Sequence, residues 1–251
     1  MGPRRTRSSR AAASSPCRTP PEPHRPEPSQ AEIAVPSPPS PPAFEIPVAL
    51  VRDYRRINLE LSRALDDGRT LVRLVDVEGQ RLLASGLHGD WRAVVEVVGN
   101  AGPELAAGLN APGLTIRCTG SAADGAARGL VSGRVAIRGQ AGDAVAAAML
   151  GGTVVVAGGA GHRAGLRMRG GTLVLFGPVG RLLADRRAGG LIFADPSAMQ
   201  RPSGRPGDGG RLLPLPQETG HAALLDPEDA RAYRDALHDL PDGFRSPRSP
   251  V

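Results

Sequence analysis

The sequence of 251 residues contains no lysine, and all 31 of its basic residues are arginine. A Walker-type phosphate loop, a Schiff-base enzyme and a lysine general base each need the ε-amine itself, so these three classes of enzyme are excluded. The net charge of +6 accompanies a high content of alanine, glycine and proline. Because this bias is also typical of a skewed genome composition, we expect no nucleic-acid partner.

Cysteine and long apolar runs are also scarce. Cys17 and Cys118 are too few for a disulfide framework or a CxxC metal site. We therefore expect no metal or other cofactor on this chain and a reducing, cytoplasmic compartment. No apolar run reaches the roughly 18 residues of a membrane span, and the start of the chain lacks the apolar stretch of an export signal. We expect neither membrane insertion nor export.

Aromatic residues make up only 3% of the chain, whereas there are 33 glycines and 25 prolines. This composition favours a fold of small side chains and frequent turns over a helical bundle. The prolines concentrate at the start, because residues 1–45 hold 12 of them. These residues are predicted to form a disordered tail of polyproline character, which is either simply solvated or a PxxP ligand.

Helical signals flank the glycine-rich middle of the chain. In the entry segment, residues 46–92, we predict a helix over about 50–67 and a strand over 70–77. In residues 197–251 we predict a linker and a C-terminal helix that begins at Asp226. The apolar residues at helical spacing are Tyr54, Ile57, Leu61 and Leu65 in the first helix, and Ala230, Tyr233, Leu237 and Leu240 in the second.

The glycines between these segments are periodic. Of the 33, 25 lie between Gly79 and Gly190, and several series repeat every 19 residues. A fixed period near 20 residues is the signature of a solenoid. We assign the glycines to the corners of successive coils, because glycine accepts a positive φ without a Cβ clash. The predicted structural glycines are Gly99, Gly120, Gly133, Gly139, Gly142, Gly152, Gly158, Gly161, Gly171, Gly177, Gly180 and Gly190.

Apolar residues follow the same period and define six strands within residues 93–196. Alternate strand residues share a face, so the apolar columns point inward and stack at about 4.8 Å. Parallel strands this close in sequence leave no room for a helix between them and predict an all-β, right-handed parallel β-helix. The inward columns are Val95, Ile116, Val135, Val154, Leu173 and Ile192, then Val97, Cys118, Ile137, Val156, Leu175 and Ala194, and finally Leu109, Leu130, Met149 and Met168.

The outward strand positions become apolar toward the C-terminal coils. Val155, Val174, Phe176 and Phe193 form a candidate partner surface. A soluble protein seldom leaves such a patch in contact with water. Either the C-terminal helix of this chain or a partner protein is expected to cover it.

Residues that could carry chemistry do not form a catalytic pattern. Gly159 and Gly161 resemble part of a dinucleotide fingerprint, but the spacing is wrong and the glycines recur in coil after coil. His162 has no companion ligand and is interpreted as a turn histidine facing solvent. A hexapeptide acyltransferase is excluded by the 19-residue period. Basic residues concentrate on the last two coils, which indicates either a solvated face or a docking site for an acidic partner or anionic ligand. They are Arg163, Arg167, Arg169, Arg181, Arg186 and Arg187.

Two stretches of the repeat resemble the GXGXG β-helix family. The first is GNAGPELAAGLNAPGLTIRCTG from Gly99, and the second is SGRVAIRGQAGDAVAAAMLGGTVVVAGGAGHRAGLRMRGGTLVLFG from Ser132. This family includes the C-terminal domain of the glutamate synthase large subunit, stand-alone glutamate synthase-like chains, and one of the subunits of formylmethanofuran dehydrogenase. The resemblance covers about residues 55–195. The chain departs from the family pattern at Arg128 and Asp185, and in its two tails.

The resemblance implies a scaffold subunit without catalytic residues, in a glutamate synthase-like, amidotransferase-linked oxidoreductase complex. FMN and iron–sulfur clusters would then lie on partner subunits, the amidotransferase and FMN synthase chains. One alternative is the corresponding β-helical subunit in a formylmethanofuran dehydrogenase complex, with that enzyme's other subunits as partners. The other is a free-standing β-helix interaction module.

Overall fold

The structure, a computed structural model, describes residues 43–49, 53–199, 209–216 and 225–245. Nearly all of the predicted disordered tail, residues 1–45, lies outside the described residues. Parts of the predicted C-terminal linker do so as well.

Within the described residues, nine parallel strands form one sheet in which each strand pairs with the next along the chain. The predicted parallel β-helix is therefore confirmed, and its right-handed coil stays a prediction from the crossover rule. The strands are β1 (Phe44–Pro47), β2 (Leu71–Glu78), β3 (Ala93–Asn100), β4 (Asn110–Cys118), β5 (Ser132–Ile137), β6 (Thr153–Val156), β7 (Thr172–Leu175), β8 (Ala188–Ala194) and β9 (Gly209–Pro214), and the helices are α1 (Tyr54–Asp66), α2 (Pro196–Met199) and α3 (Pro227–Leu237).

The register places the predicted inward columns on top of one another. Ile116 pairs with Val135, and Val135 pairs with Val154, as the 19-residue period requires. All the residues of the three predicted columns are buried. Since burial of apolar surface stabilises a fold by roughly 25 cal/mol per Å², the stacked columns contribute to the hydrophobic stabilisation of the coil.

The sheet extends beyond the predicted coil boundaries of 93 and 196. Strand β2 lies in the predicted entry segment, yet its Leu71 pairs with Val94 of β3 in the same parallel sheet. Strand β1 begins at Phe44, so the prediction of a disordered tail over residues 1–45 is wrong for its last two residues, which pair with β2. Strand β9 lies in the predicted linker and pairs with β8. These coils lack the 19-residue glycine series, because helices α1 and α2 replace part of the coil that glycine-rich turns form elsewhere.

Each regular coil has three sides. The first is the β-strand, and the second is a short bridge in which Ala122, Ala141 and Ala160 pair in succession. The third side consists of residues 103–109 and their equivalents in the other coils, for which the repeat pattern predicts a short extended stretch. Instead every second residue has a positive φ, for example +57° at Ala144, +55° at Ala146 and +53° at Ala148.

Backbone hydrogen bonds between coils stabilise this third side. Ala127 donates its N–H to Leu105 in the preceding coil at 2.8 Å, whereas Gly129 donates to Ala147 in the following coil at 2.8 Å. A non-glycine residue at positive φ costs on the order of 1 kcal/mol or more. The paired backbone groups on both neighbouring coils keep the chain in this conformation despite that cost.

Helix α1 closes the N-terminal end of the third side. As predicted, Ile57, Leu61 and Leu65 are buried on one helix face. Asn58, on the same helix, accepts the N–H of Ala84 at 2.9 Å and donates to the carbonyl of Leu82 at 2.9 Å. Its amide therefore satisfies backbone groups that a preceding coil satisfies elsewhere.

The repeat glycines are required for two different reasons. Gly133, Gly152, Gly171 and Gly190, at the start of each strand, have φ between +76° and +94°, as the repeat pattern predicts. Gly139, Gly158 and Gly177, after each strand, do not have a positive φ. At these positions the coils approach too closely for a side chain, and a Cβ atom on Gly139 would lie 2.7 Å from the carbonyl oxygen of Gly120.

Replacing Gly158 by alanine is expected to lower the free energy of unfolding by about 3 kcal/mol, because the new Cβ would collide with the backbone of Gly139 and Gln140. Gly108→Ala is the matched control. Gly108 has a positive φ, but its Cβ position is open, and Ala148 already occupies the equivalent site. We expect a loss of about 1 kcal/mol there. Urea unfolding measures both, and equal losses would contradict the close-approach explanation.

Candidate functional site

A ladder of polar side chains runs along one corner of the coil, parallel to its axis. Asp124 accepts the backbone N–H of Asp143 at 2.8 Å, and Asp143 accepts the N–H of His162 at 2.7 Å. His162 in turn accepts the N–H of Arg181 through Nδ1 at 2.9 Å. Each side chain thus binds the equivalent residue of the next coil, so these groups act in stacking.

The ladder gives His162 a structural contact that the sequence pattern does not reveal. The imidazole is exposed, as predicted for a turn histidine. Because Nδ1 accepts a hydrogen bond, the ring proton of the neutral form lies on Nε2. The nearby Gly161 belongs to the same corner, where a Cβ would meet the backbone of Asp143 at 2.8 Å. The periodic recurrence of this glycine therefore reflects stacking between coils.

Cys118 is a core residue, as predicted. Its side chain is fully buried in the inward column between Val97 and Ile137. Burial raises the pKa of the thiol, although hydrogen bonds from neighbouring backbone groups oppose the shift. A raised pKa lowers the thiolate fraction at neutral pH, which makes the thiol a poor nucleophile.

The candidate partner surface lies beneath the chain's own C-terminal helix. Val155, Val174 and Phe193 have no exposed surface, and Phe176 is partly buried against them. The ring of Phe193 meets Tyr233 of α3 edge to face, with 5.1 Å between the centroids. Of the two covers that the sequence left open, the structure shows α3 and the residues that follow it, including Ala236, Leu240 and Phe244.

Two strand arginines bind the C-terminal end of α3. Arg134 donates to the carbonyl of Asp235 at 2.8 Å and also to that of His238, and Arg117 donates to the carbonyl of Asp239 at 2.7 Å. The last carbonyls of a helix carry partial negative charge and lack partners within the helix. Burial lowers the pKa of Arg134, yet a guanidinium remains charged at neutral pH.

A third arginine binds the N-terminal end of α3. Arg211 of β9 donates to Asp226, the helix cap, at 2.8 Å and forms an ion pair with Asp229. The hydrogen bond from Arg211 lowers the pKa of Asp226. The hydrogen bond between Arg211 and the ionised Asp226 therefore stabilises the fold at neutral pH, and this stabilisation is lost as the pH falls through the lowered pKa. Burial raises the pKa of Asp229, and the positive charge of Arg211 opposes this shift.

The predicted apolar stripe of α3 is largely confirmed, because Leu240 is buried and Tyr233 and Leu237 pack against the same cluster. The helix face that is buried nevertheless includes a charged residue outside that stripe. Asp229 is 2% exposed and is buried together with Ala236, whereas Ala230 is only partly buried. The predicted stripe leaves the acidic residues of the first turn outside it. Arg211 lies outside the helix, on β9, and its opposite charge allows Asp229 to be buried between α3 and the sheet.

The six arginines of the last two coils separate into two groups. Arg187 follows Met168 by 19 residues and takes the next position of the column Leu109, Leu130, Met149 and Met168. It is partly buried and donates to the carbonyls of Gly209 and Gly210 at 2.9 and 3.1 Å, which explains why an arginine can replace the apolar residue there. The others form no salt bridge with described residues. The exposed arginines are Arg163, Arg167, Arg169, Arg181 and Arg186.

A shallow groove of about 420 Å³ lies on the third side. Its floor consists of small residues, Gly125, Ala144, Ala147 and Ala148, and its wall includes Leu166. Among the described residues, no three His, Cys, Asp or Glu side chains are grouped as a metal site requires. None of the described helices has the length and apolarity to cross a membrane.

No family model matches the chain, and neither a curated protein nor a solved structure matches it.

Phe193→Ala is expected to lower the free energy of unfolding by about 3–5 kcal/mol and to loosen α3, because it leaves a cavity between the sheet and the helix. The released helix would become sensitive to trypsin after Arg231. Phe44→Ala is the control, since Phe44 is 39% exposed and lies far along the sheet. Trypsin cleavage at equal rates in both variants would contradict the packing of α3 on Phe193.

Proposed function

We propose that this chain is a non-catalytic scaffold subunit of a glutamate synthase-like, amidotransferase-linked oxidoreductase complex. Two things support the proposal: the resemblance of the repeat to the GXGXG family, and the use that the coil makes of its polar side chains. Asp124, Asp143 and His162 each accept a backbone N–H of the next coil. Residues that serve catalysis in other proteins here hold successive coils in register.

The nine-stranded coil suits the role of a spacer between enzymes. Successive strands rise by about 4.8 Å, so eight steps span about 38 Å along the axis. The described chain contacts itself through hydrogen bonds on all three sides of the regular coils. Such a rod would hold partner subunits that carry FMN and iron–sulfur clusters at a fixed separation.

Purification of the native complex, with identification of the copurifying chains, tests this proposal. We expect a class II amidotransferase and an FMN-containing synthase chain. Copurification with molybdopterin or amidohydrolase subunits would instead support the formylmethanofuran dehydrogenase alternative, and no enzyme partner would support the free-standing module. Conversion of glutamine to glutamate by the purified chain alone would rule out a scaffold role.

A further inference from the structure

The third side of the coil presents exposed columns that change character along the axis. Four successive rungs, residues 124–129, 143–148, 162–167 and 181–186, lie one above the other. Apart from Arg128, the first two rungs carry small uncharged residues or aspartate and form the floor of the groove, whereas Leu166 and Arg167 of the third rung form part of its wall. Each column therefore has a recessed half and a raised half.

Charge follows the same division. The first two of these rungs contain Asp124 and Asp143 against a single arginine, Arg128. The last two contain four arginines against one carboxylate, Asp185. Both ladder aspartates use Oδ1 for a backbone N–H and keep a second oxygen for other partners. The face is thus acidic at one end and basic at the other.

A second copy of the chain fits this face by simple symmetry. A two-fold axis that runs parallel to the rungs, midway between residues 143–148 and 162–167, reverses the coil axis and leaves each column opposite itself. The first of the four rungs then meets the last, and the second meets the third. In this arrangement Asp124 faces Arg181, Gly125 faces Leu182, and Ala147 faces Leu166 of the second copy.

The remaining columns agree with this pairing. Arg128, which also forms an ion pair with Glu104 of its own chain at 3.4 Å, faces Asp185 of the second copy, so opposite charges meet at both ends of this column. Ala148 faces Arg167, where the long side chain enters the recess. Since no column opposes two like charges or two bulky side chains, the face is self-complementary in both size and charge.

We propose that the third side is a homodimer interface, in which two chains pack antiparallel through these four rungs. The four rungs span only about 14 Å from first to last at the rung spacing of 4.8 Å, which is small for a stable dimer. Association is therefore weak and depends on salt. This assignment is independent of the enzyme partners proposed above, because those would be identified by copurification whether or not the chain dimerises.

A charge swap within one column tests the interface. Arg181→Asp and Asp124→Arg each place like charges opposite one another in both symmetric contacts, so each variant alone should dimerise at least about tenfold more weakly. An equimolar mixture of the two restores opposite charges at both contacts and should form a heterodimer. Sedimentation velocity on the full chain, at about 50 mM salt and up to about 100 µM protein, measures all three samples.

Two controls complete the experiment. Arg231→Asp changes a charge of the same sign on the exposed surface of α3, at 79% side-chain exposure, and should leave dimerisation unchanged. Circular dichroism establishes that Arg181→Asp and Asp124→Arg remain folded. A wild-type chain that stays monomeric under these conditions would overturn the proposal, and so would a mixture of the two variants that does not associate.

Discussion

Successive coils of this chain stack at hydrogen-bonding distance, and this close approach determines most of the other features. The column that contains Gly139, Gly158 and Gly177 has no room for a Cβ atom. Side chains at the neighbouring corner bind the backbone of the next coil, as Asp143 binds His162. The period of the glycines therefore reflects close contacts between coils as well as turns.

The third side shows how stacking overrides local preference. Alanine and arginine disfavour positive φ, yet Ala146 and Arg167 adopt it at +55° and +54°. Ala146 donates its N–H to Ala126 in the preceding coil and Arg167 donates its N–H to Asp185 in the following coil, so a hydrogen bond to a neighbouring coil offsets the cost of each conformation. A repeat makes this compensation cumulative, because each coil supplies partners to the next.

Columns of the sequence were sufficient to predict the six strands β3 to β8, the inward residues and the burial of Cys118, because period and burial are directly related in a solenoid. Helix α1 was likewise predictable from Ile57, Leu61 and Leu65. The third side was not, because no local signal marks alanine for positive φ. The burial of Asp229 depends on its ion pair with Arg211 of β9, and β9 joins the sheet through its pairing with β8. A local sequence pattern shows neither contact.

The outer face of the sheet is covered by helix α3, whereas the third side of the coil is not, and the two surfaces differ in what they offer to a partner. Helix α3 is bound at its two ends by Arg211 and Arg134 and in the middle by Phe193. The apolar surface that first suggested a partner is thereby buried within the chain. The third side keeps exposed charges of both signs and a groove, and these are the features on which the proposed dimer rests.

The third side of the coil is held by hydrogen bonds between coils as continuously as the strands are. Hydrogen exchange of individual amides, followed by NMR, tests it most directly. We predict that the N–H groups of Ala106, Ala127 and Ala146, which bind the preceding coil at 2.8 Å, exchange as slowly as those of strands β5 and β6. Exchange of these three amides at the rate of an open loop, beside protected strands, would contradict it.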